Sequence, residues 1–272
     1  MYPDLHAFER NLVEEEKSAA TVSKYVRDVE RYIRCAGEEV SKETVLEWKH
    51  SLIEQGYSVR SVNSMLASLN AYLRYIGRED CRVKSLRAQR QIYCPEEKEL
   101  TREEYLRLLE ASKNRPRLHL LLQTIGGTGI RISELKYFTL EAAREGEVRV
   151  YAKGKSRVIL LPSKLRRQLT DYCRAQGIGS GAIFRTRGGL ALDRSNVWAE
   201  MKGLCAAAGV NPEKVFPHNL RKLFARSFYG IDRDIARLAD ILGHSSIDTT
   251  RIYIVSSGNE HRRKLESMRL VI

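Results

Sequence analysis

The feature that most constrains this fold is a stripe of apolar residues, spaced three and four positions apart, in the first third of the chain. The stripe consists of Val59, Val62, Met65, Leu66, Leu69, Tyr72, Leu73 and Ile76. This spacing predicts a helix with one buried face, opened at Gly56 or Ser58 and closed at Gly77. Arg60 and Arg74 lie off the stripe, so each could face solvent or a phosphate group.

Helical spacing also recurs upstream, where Val22, Tyr25, Val26, Val29 and Ile33 predict another amphipathic helix. Thr21 is a candidate cap for it. The periodicity then fades between Arg78 and Glu99, and a new helix is predicted to begin at Thr101. The sequence therefore predicts a helical domain at 1–88, a linker at 89–99 and a second domain at 100–272.

One segment of the second domain is extended rather than helical. Residues 147–152 and 157–161 alternate or are β-branched, and a short Lys-Gly-Lys-Ser connection separates them. This pattern predicts a β-hairpin. Upstream, residues 118–125 predict a buried helix that ends in a glycine-rich turn at 126–129. The fold class predicted is mainly α, with a small β-hairpin in the second domain.

Charge and cysteine content narrow the functional classes. The net charge is +13, and acidic residues outnumber basic ones in the first 57 positions, so the positive excess lies in the middle and C-terminal parts. Such a distribution favours a polyanionic partner such as nucleic acid, although it could also serve solubility. No apolar run reaches about 18 residues, so no membrane span is expected. The five cysteines are odd in number and lack CxxC spacing, which fits free thiols in a reducing cytoplasm.

Two patches of the second domain bring basic side chains to a turn. Arg131 follows a glycine-rich stretch, with Glu134 three positions later on the same predicted helical face. Lys153 and Lys155 lie at the predicted hairpin tip. By themselves, the first patch could be an ordinary surface ion pair and the second a solvated turn.

Two further patches combine histidine with arginine or tyrosine. His218 and Arg221 are three positions apart, which places both on one side of a helix. His244 follows a glycine predicted to end a helix, and Tyr253 lies nine positions later. Alone, an HxxR match arises often by chance, and the other pair could be a core histidine with a half-buried tyrosine.

Taken in order, the four patches resemble the catalytic domain of the tyrosine recombinases of the phage integrase family. The segments concerned are TGIRISEL, AKGKSRVILLP, HNLR and LGHSSIDTTRIY, which begin at 128, 152, 218 and 242. The first ninety residues are similar, more loosely, to that family's helical SAM-like DNA-clamping domain. The compact length is typical of Xer-like or transposon-type members. The resemblance implies a site-specific recombinase that cleaves and rejoins DNA.

The resemblance also implies roles for five side chains. Tyr253 would attack the phosphodiester and form a 3′-phosphotyrosyl link. Arg131 and Arg221 would clamp the non-bridging oxygens, because guanidinium is permanently charged and forks onto two oxygens. His218 would be the acid–base helper, with His244 donating to the phosphate.

The leaving 5′-oxygen needs a proton, and the family pattern assigns its donor to Lys153, with Lys155 as a competitor. Glu134 would orient Arg131 and the histidines. Where many members read HxLRH, this chain has Lys222, so one histidine fewer is expected near the site. The chemistry implied is independent of metals and cofactors, since fixed cations stabilise the charge.

The implied partner is double-stranded DNA with specific core sites, bound by a dimer on each site and by a tetramer in synapsis. Candidate DNA contacts are Lys155, Arg157, Arg60, Arg74 and Arg87. The basic tail after Tyr253, with its apolar Leu265, Met268 and 270–272, would pack into a neighbouring subunit. The expected location is the cytoplasm, at the nucleoid.

Two other functions share these motifs. One is DNA relaxation by an enzyme similar to a type IB topoisomerase. The other is a non-catalytic DNA-binding accessory protein.

Overall fold

The chain folds into two units, Met1–Arg90 and Gln91–Ile272. They are seen in a computed structural model that describes residues 5–37, 40–87, 98–152, 155–186, 188–190, 192–254, 262 and 265–268. The predicted linker at 89–99 lies outside the described residues except for Lys98 and Glu99. Within the described part, the mainly helical fold class with one small β-hairpin is confirmed.

The first unit is built from helices α1 (Leu5–Glu14), α2 (Ala19–Ala36), α3 (Lys42–Glu54) and α4 (Val59–Tyr75), followed by a 3₁₀ turn at Glu79–Cys81. Most of the predicted stripe forms the buried face of α4, where Leu66, Leu69 and Leu73 are fully buried, whereas Val59 in the first turn is exposed. A polar contact joins α2 to α4, since Ser68 donates to the buried carboxylate of Asp28 at 2.8 Å. The unit therefore closes around one apolar core with a satisfied polar pair inside it.

Helix α4 begins as the sequence predicts, because the side chain of Ser58 accepts a hydrogen bond from the backbone of Ser61. The cap predicted for α2 at Thr21 is wrong. Ser18 caps that helix, and its hydroxyl accepts from the Thr21 backbone. Two β-hydroxyl residues three positions apart both fit a cap, and the apolar stripe alone does not distinguish them.

The second unit begins with α5 (Arg102–Ala111), α6 (Pro116–Thr128), a 3₁₀ helix at Ile132–Tyr137 and α7 (Leu140–Glu145). Strands β1 (Glu147–Ala152) and β2 (Lys155–Leu160) follow, and then α8 (Ser163–Ala175), α9 (Arg194–Lys202), α10 (Cys205–Ala208), α11 (Pro217–Ile231), α12 (Ile235–Leu242) and α13 (Ile247–Ile254). The strands pair antiparallel, with Val150 opposite Arg157. Lys155 thus begins β2 instead of lying in the connection.

Helix α11 runs through the middle of this unit and carries residues of the HNLR patch. Its Leu220 and Leu223 belong to the main apolar core. Asn219 donates to the carbonyl of Lys98 at 2.8 Å, and Arg226 pairs with Glu99. The chain that enters the second unit is therefore anchored on the helix that positions the site.

The glycine-rich turn predicted at 126–129 is only partly correct. Helix α6 continues through Gly126 and Gly127 to Thr128, and only Gly129 leaves the helix, with a φ of 63°. Gly129 allows the turn, whereas Gly126 allows close packing. A Cβ at Gly126 would lie 2.8 Å from the hydroxyl of Tyr105, whereas a Cβ at Gly127 would meet open space.

The described cysteines, Cys35, Cys81, Cys173 and Cys205, are free thiols. Cys94 lies outside the described residues. Separately, the helices that the structure describes include none with the length and apolar character needed to cross a membrane.

The two neighbouring glycines of α6 give a matched pair of substitutions. We expect Gly127→Ala to raise the free energy of unfolding by about 0.5–1 kcal/mol, because alanine restricts the unfolded chain and favours helix. Gly126→Ala should lower it by about 1–3 kcal/mol, because the Tyr105 ring must move. Thermal unfolding of the full chain measures both. Equal stabilisation by the two substitutions would contradict the packing role of Gly126.

Candidate active site

His218 and Arg221 reach the site from the first turn of α11. Pro217 occupies the first helical position, where its missing N–H costs nothing. One turn separates the two side chains, and they differ in burial. His218 is exposed at the surface, whereas Arg221 retains only 1% of its surface.

Arg221 is a buried cation that is satisfied mostly by backbone carbonyls. Its Nη1 donates to the Gly129 carbonyl at 2.5 Å, and its Nη2 donates to the Leu242 carbonyl at 2.6 Å. Burial lowers the pKa of Arg221 to about 10, and the nearby Arg131 charge acts in the same direction. Its Nε is buried and has no hydrogen-bond partner among the described residues. The side chain therefore joins the end of α6 to the end of α12, and its buried Nε–H is left without an acceptor in the described part of the chain.

Arg131 caps the 3₁₀ helix through Glu134. The backbone N–H of Arg131 donates to Glu134 Oε2 at 2.7 Å, and its Nη1 donates to Oε1 at 3.0 Å. Its Nη2 donates to the Gly243 carbonyl at 2.9 Å. The side chain stays 40% exposed, so this guanidinium is both fixed in place and accessible.

Gly129 shapes the turn that delivers Arg131. Its φ of 63° is unfavourable for other residues, and a Cβ would lie 2.3 Å from Phe224 Cδ1. The glycine at this position is thus required by both backbone conformation and packing against α11.

Glu134 is a buried carboxylate that bridges two arginines. It is 2% exposed, and Arg157 Nη2 on β2 donates to its Oε2 at 2.6 Å. Arg157 also donates to the Ile241 carbonyl. The predicted role of Glu134 in orienting the histidines has no counterpart in these contacts, which go to Arg131 and Arg157.

Arg157, predicted as a DNA contact, points inward, with 13% of its side chain exposed. Buried carboxylates need charged partners, and Glu134 draws the guanidinium away from solvent. Gly243 makes room for it, since a Cβ there would lie 2.7 Å from Arg157 Cδ. The hairpin is thereby fastened to the end of α12.

His244 lies between Arg221 and α13. Its Nε2 is 2.9 Å from Arg221 Nη2, and its Nδ1 is 2.8 Å from Thr250 Oγ1. Burial, together with the charges of Arg221 and Arg131, lowers the pKa of His244 to about 4. The imidazole is therefore neutral near pH 7.

Tyr253 on α13 is 7% exposed, and its ring packs between two imidazoles. The ring centroids lie 5.1 Å from His218 and 4.9 Å from His244. The Arg221 guanidinium lies 5.8 Å from the tyrosine ring. Desolvation lowers the pKa of His218, and the charges of Lys222 and Arg221 act in the same direction. A tyrosine thus lies beside two histidines of lowered pKa and a permanent cation.

The structure brings together six residues predicted for the site: Arg131, Glu134, His218, Arg221, His244 and Tyr253. Lys153 lies outside the described residues. Lys155 begins β2, and its side chain lies outside the description. Arg60, Arg74 and Arg87 are exposed on the first unit.

Two residues that contact the site were missed as members of it. Arg157 is predicted only as a DNA contact, although the alternation along β2 places it on the same face as the buried Ile159. Thr250 lies three positions before Tyr253, so helical spacing could have placed it on the same face. In the described part of the chain, no group of three His, Cys, Asp or Glu side chains could hold a metal ion.

Two protein-family profiles match this chain, one in each unit. Residues 98–260 match the profile described as the phage integrase family, and residues 5–80 match the phage integrase N-terminal SAM-like domain. A tyrosine recombinase XerA from Thermococcus kodakarensis is 31% identical, over 98% of this chain and 95% of its own length.

Solved structures share the fold. A lambda integrase dimer bound to a COC′ core site superposes with a TM-score of 0.73 at 19% identity, covering 92% of this chain and 93% of that one. A lambda integrase tetramer bound to a Holliday junction gives 0.72 at 20% identity, covering 92% and 75%. At these identities the likeness establishes the fold.

We expect His244 to remain neutral far below the usual histidine range. Its folded pKa of about 4 lies below the reference 6.5, so the unfolded chain takes up a proton first as pH falls. The contribution of this group to stability is therefore complete above about 6.5 and is lost between about 6.5 and 4. An NMR titration of ¹⁵N-histidine-labelled protein, assigned with His244→Gln, measures the midpoint. A midpoint of 6 or above would contradict the burial of this ring.

Proposed function

Because the chain belongs to the phage integrase family of tyrosine recombinases, we propose that it is a site-specific DNA recombinase that cleaves and rejoins DNA through Tyr253. The observation that carries this proposal is the position of Tyr253, whose ring lies against His218 and His244 and 5.8 Å from the Arg221 guanidinium. A nucleophile, candidate proton acceptors and fixed positive charge are thus adjacent.

In the proposed cleavage step, Tyr253 Oη forms a bond to phosphorus as the bond from phosphorus to the 5′-oxygen breaks. The tyrosine proton passes to His218, whose pKa is lowered by desolvation, a shift that favours the neutral imidazole. Lys153, or Lys155 in its place, gives a proton to the leaving 5′-oxygen. Rejoining is the reverse, with a 5′-hydroxyl of the partner strand attacking the 3′-phosphotyrosine.

Arginines stabilise the charge that accumulates on the non-bridging oxygens. Arg131 is held by Glu134 and remains 40% exposed, which suits contact with a phosphate at the surface. Arg221 carries a buried Nε–H without a partner among the described residues. A buried unsatisfied donor costs roughly 1–3 kcal/mol, and a phosphate oxygen would satisfy it. These fixed cations support chemistry that is independent of metals.

We propose that double-stranded DNA contacts residues of both units. Arg60, Arg74 and Arg87 of the first unit are exposed and available for phosphate contacts. Cleavage on specific core sites follows by analogy with the lambda integrase complexes, which were solved as a dimer on a core site and a tetramer on a Holliday junction. The setting proposed is the cytoplasmic nucleoid.

Exchange between subunits is proposed for the tail after Tyr253. Most of residues 255–272 lie outside the described part, but Leu265 and Met268 expose 54% and 55% of their surface. Apolar side chains of this kind are available to a neighbouring copy. Topoisomerase-like relaxation and a non-catalytic accessory role gain no support from the relatives described above.

The catalytic proposal predicts a covalent protein–DNA adduct. A library of nicked duplexes with a randomised core, in which cleavage releases a short strand and traps the intermediate, should yield an adduct on denaturing gels. Tyr253→Phe should abolish it, since no other hydroxyl replaces the nucleophile.

Tyr229→Phe is the matched control, because Tyr229 packs on the same small apolar cluster as Tyr253. It should leave the adduct intact. Adduct formation by Tyr253→Phe, or none by the unmodified chain, would refute the catalytic role. Catalytic relaxation of a supercoiled plasmid that lacks any selected site would favour the topoisomerase alternative.

The DNA-clamping proposal predicts that affinity falls steeply with salt, because each phosphate contact releases counterions. Arg60→Ala and Arg74→Ala should each reduce the slope of log K against log salt by about 1. Arg34→Ala is the control, since the charge of Arg34 is offset by Glu30 at 3.5 Å. Binding assays at several salt concentrations measure the slopes, and a slope near zero would exclude the clamp.

A further inference from the structure

Thr250 stands apart from the other polar residues of α13 because it is completely buried. It retains none of its surface, whereas the adjacent Thr249 is exposed. Thr250 lies three positions before Tyr253, on the same side of the helix. Its Oγ1 lies 2.8 Å from His244 Nδ1. A buried hydroxyl thus touches the imidazole that packs against Tyr253.

The two contacts of His244 together determine where its proton lies. Nε2 is 2.9 Å from Arg221 Nη2, and a guanidinium nitrogen can only donate. Nε2 must therefore be the acceptor and carries no hydrogen. A neutral imidazole has one N–H, so that hydrogen lies on Nδ1 and is donated to Thr250 Oγ1.

We propose that Thr250 is a positioning residue that holds His244 in the Nδ1–H tautomer, so that Nε2 offers a lone pair to Arg221. Its catalytic consequence rests on the proposed function. In this DNA-free arrangement His244 acts as an acceptor toward Arg221.

The opposite tautomer conflicts with both neighbours. An Nε2–H would point a donor at the guanidinium of Arg221, which is buried, from a half-buried ring. Nδ1 would then lack a hydrogen to give to Thr250. Loss of the Thr250 oxygen would therefore leave the His244 ring less firmly held. Arg221, which lies against the Tyr253 ring, would then lose His244 Nε2 as a fixed hydrogen-bond acceptor.

The tautomer is measured on the full chain without DNA, by long-range ¹H–¹⁵N spectra of ¹⁵N-histidine-labelled protein, with His244 assigned from His244→Gln. We expect Nδ1 protonated and Nε2 unprotonated near pH 7. Thr250→Val keeps the shape but removes the oxygen, and should shift His244 toward Nε2–H. An Nε2–H signal in the unmodified chain, or no change in Thr250→Val, overturns the proposal.

Single-turnover cleavage at saturating nicked duplex gives the second readout. Thr250→Val should slow adduct formation about 10–100-fold, by analogy with the loss of a residue that orients a metal-ligating histidine, with DNA affinity unchanged. Thr250→Ser retains the oxygen and should restore the rate. Thr249→Val is the matched control on the neighbouring exposed threonine and should behave as the unmodified chain.

Loss of activity in Thr250→Ser as large as in Thr250→Val would assign the effect to the methyl group and overturn the proposal. Failure of every variant, and of the unmodified chain, to form an adduct would refute the proposed function. The tautomer spectra would still decide the role of Thr250.

Discussion

The buried charge of Arg221 is the constraint on which the rest of the second unit depends. Even with its pKa lowered to about 10, the guanidinium stays protonated at neutral pH, so folding has to supply acceptors for it. Those acceptors are the carbonyls of Gly129 and Leu242 and the ring nitrogen of His244. They come from the ends of α6 and α12 and from the turn beyond. Satisfying one side chain therefore assembles the segments that carry the candidate catalytic residues.

A second constraint is the balance of charge around Glu134. Its carboxylate pairs with Arg131 and Arg157, whereas Arg221 makes no carboxylate hydrogen bond within the described residues. The centre is thus more positive than its own acidic groups can neutralise. Burial is the main cause of the lowered pKa of His244, and the surplus positive charge adds to it. The surplus positive charge lowers the stability of the folded chain, and the same charge would favour binding of the proposed phosphodiester.

The helical units and the hairpin could be predicted because each depends on side-chain type and spacing. The site residues were predicted from the resemblance of four motifs to the tyrosine recombinases, and the structure brings six of them together. The predictions were wrong or incomplete where backbone packing or backbone carbonyl groups determine the structure. Gly126 was read as a turn, since nothing in one sequence shows that Tyr105 packs against it. The inward position of Arg157 could not be predicted, because its acceptors are the carboxylate of Glu134, which is distant in sequence, and the carbonyl of Ile241. Carbonyl groups are common to every residue, so their use as ligands leaves no trace in the order of side chains.

The close packing of Gly243 against Arg157 restricts which residues can replace either of them during evolution. Any Cβ at that residue would collide with the aliphatic stem of Arg157, and its φ of 63° already favours glycine. A larger residue at 243 would be tolerated only after Arg157 had shortened, and that change would leave Glu134 with Arg131 as its hydrogen-bonded cation. Substitution at position 243 is therefore expected only together with a substitution at position 157. The pair should persist or disappear as a unit among related chains, although neither member is assigned a step in the reaction.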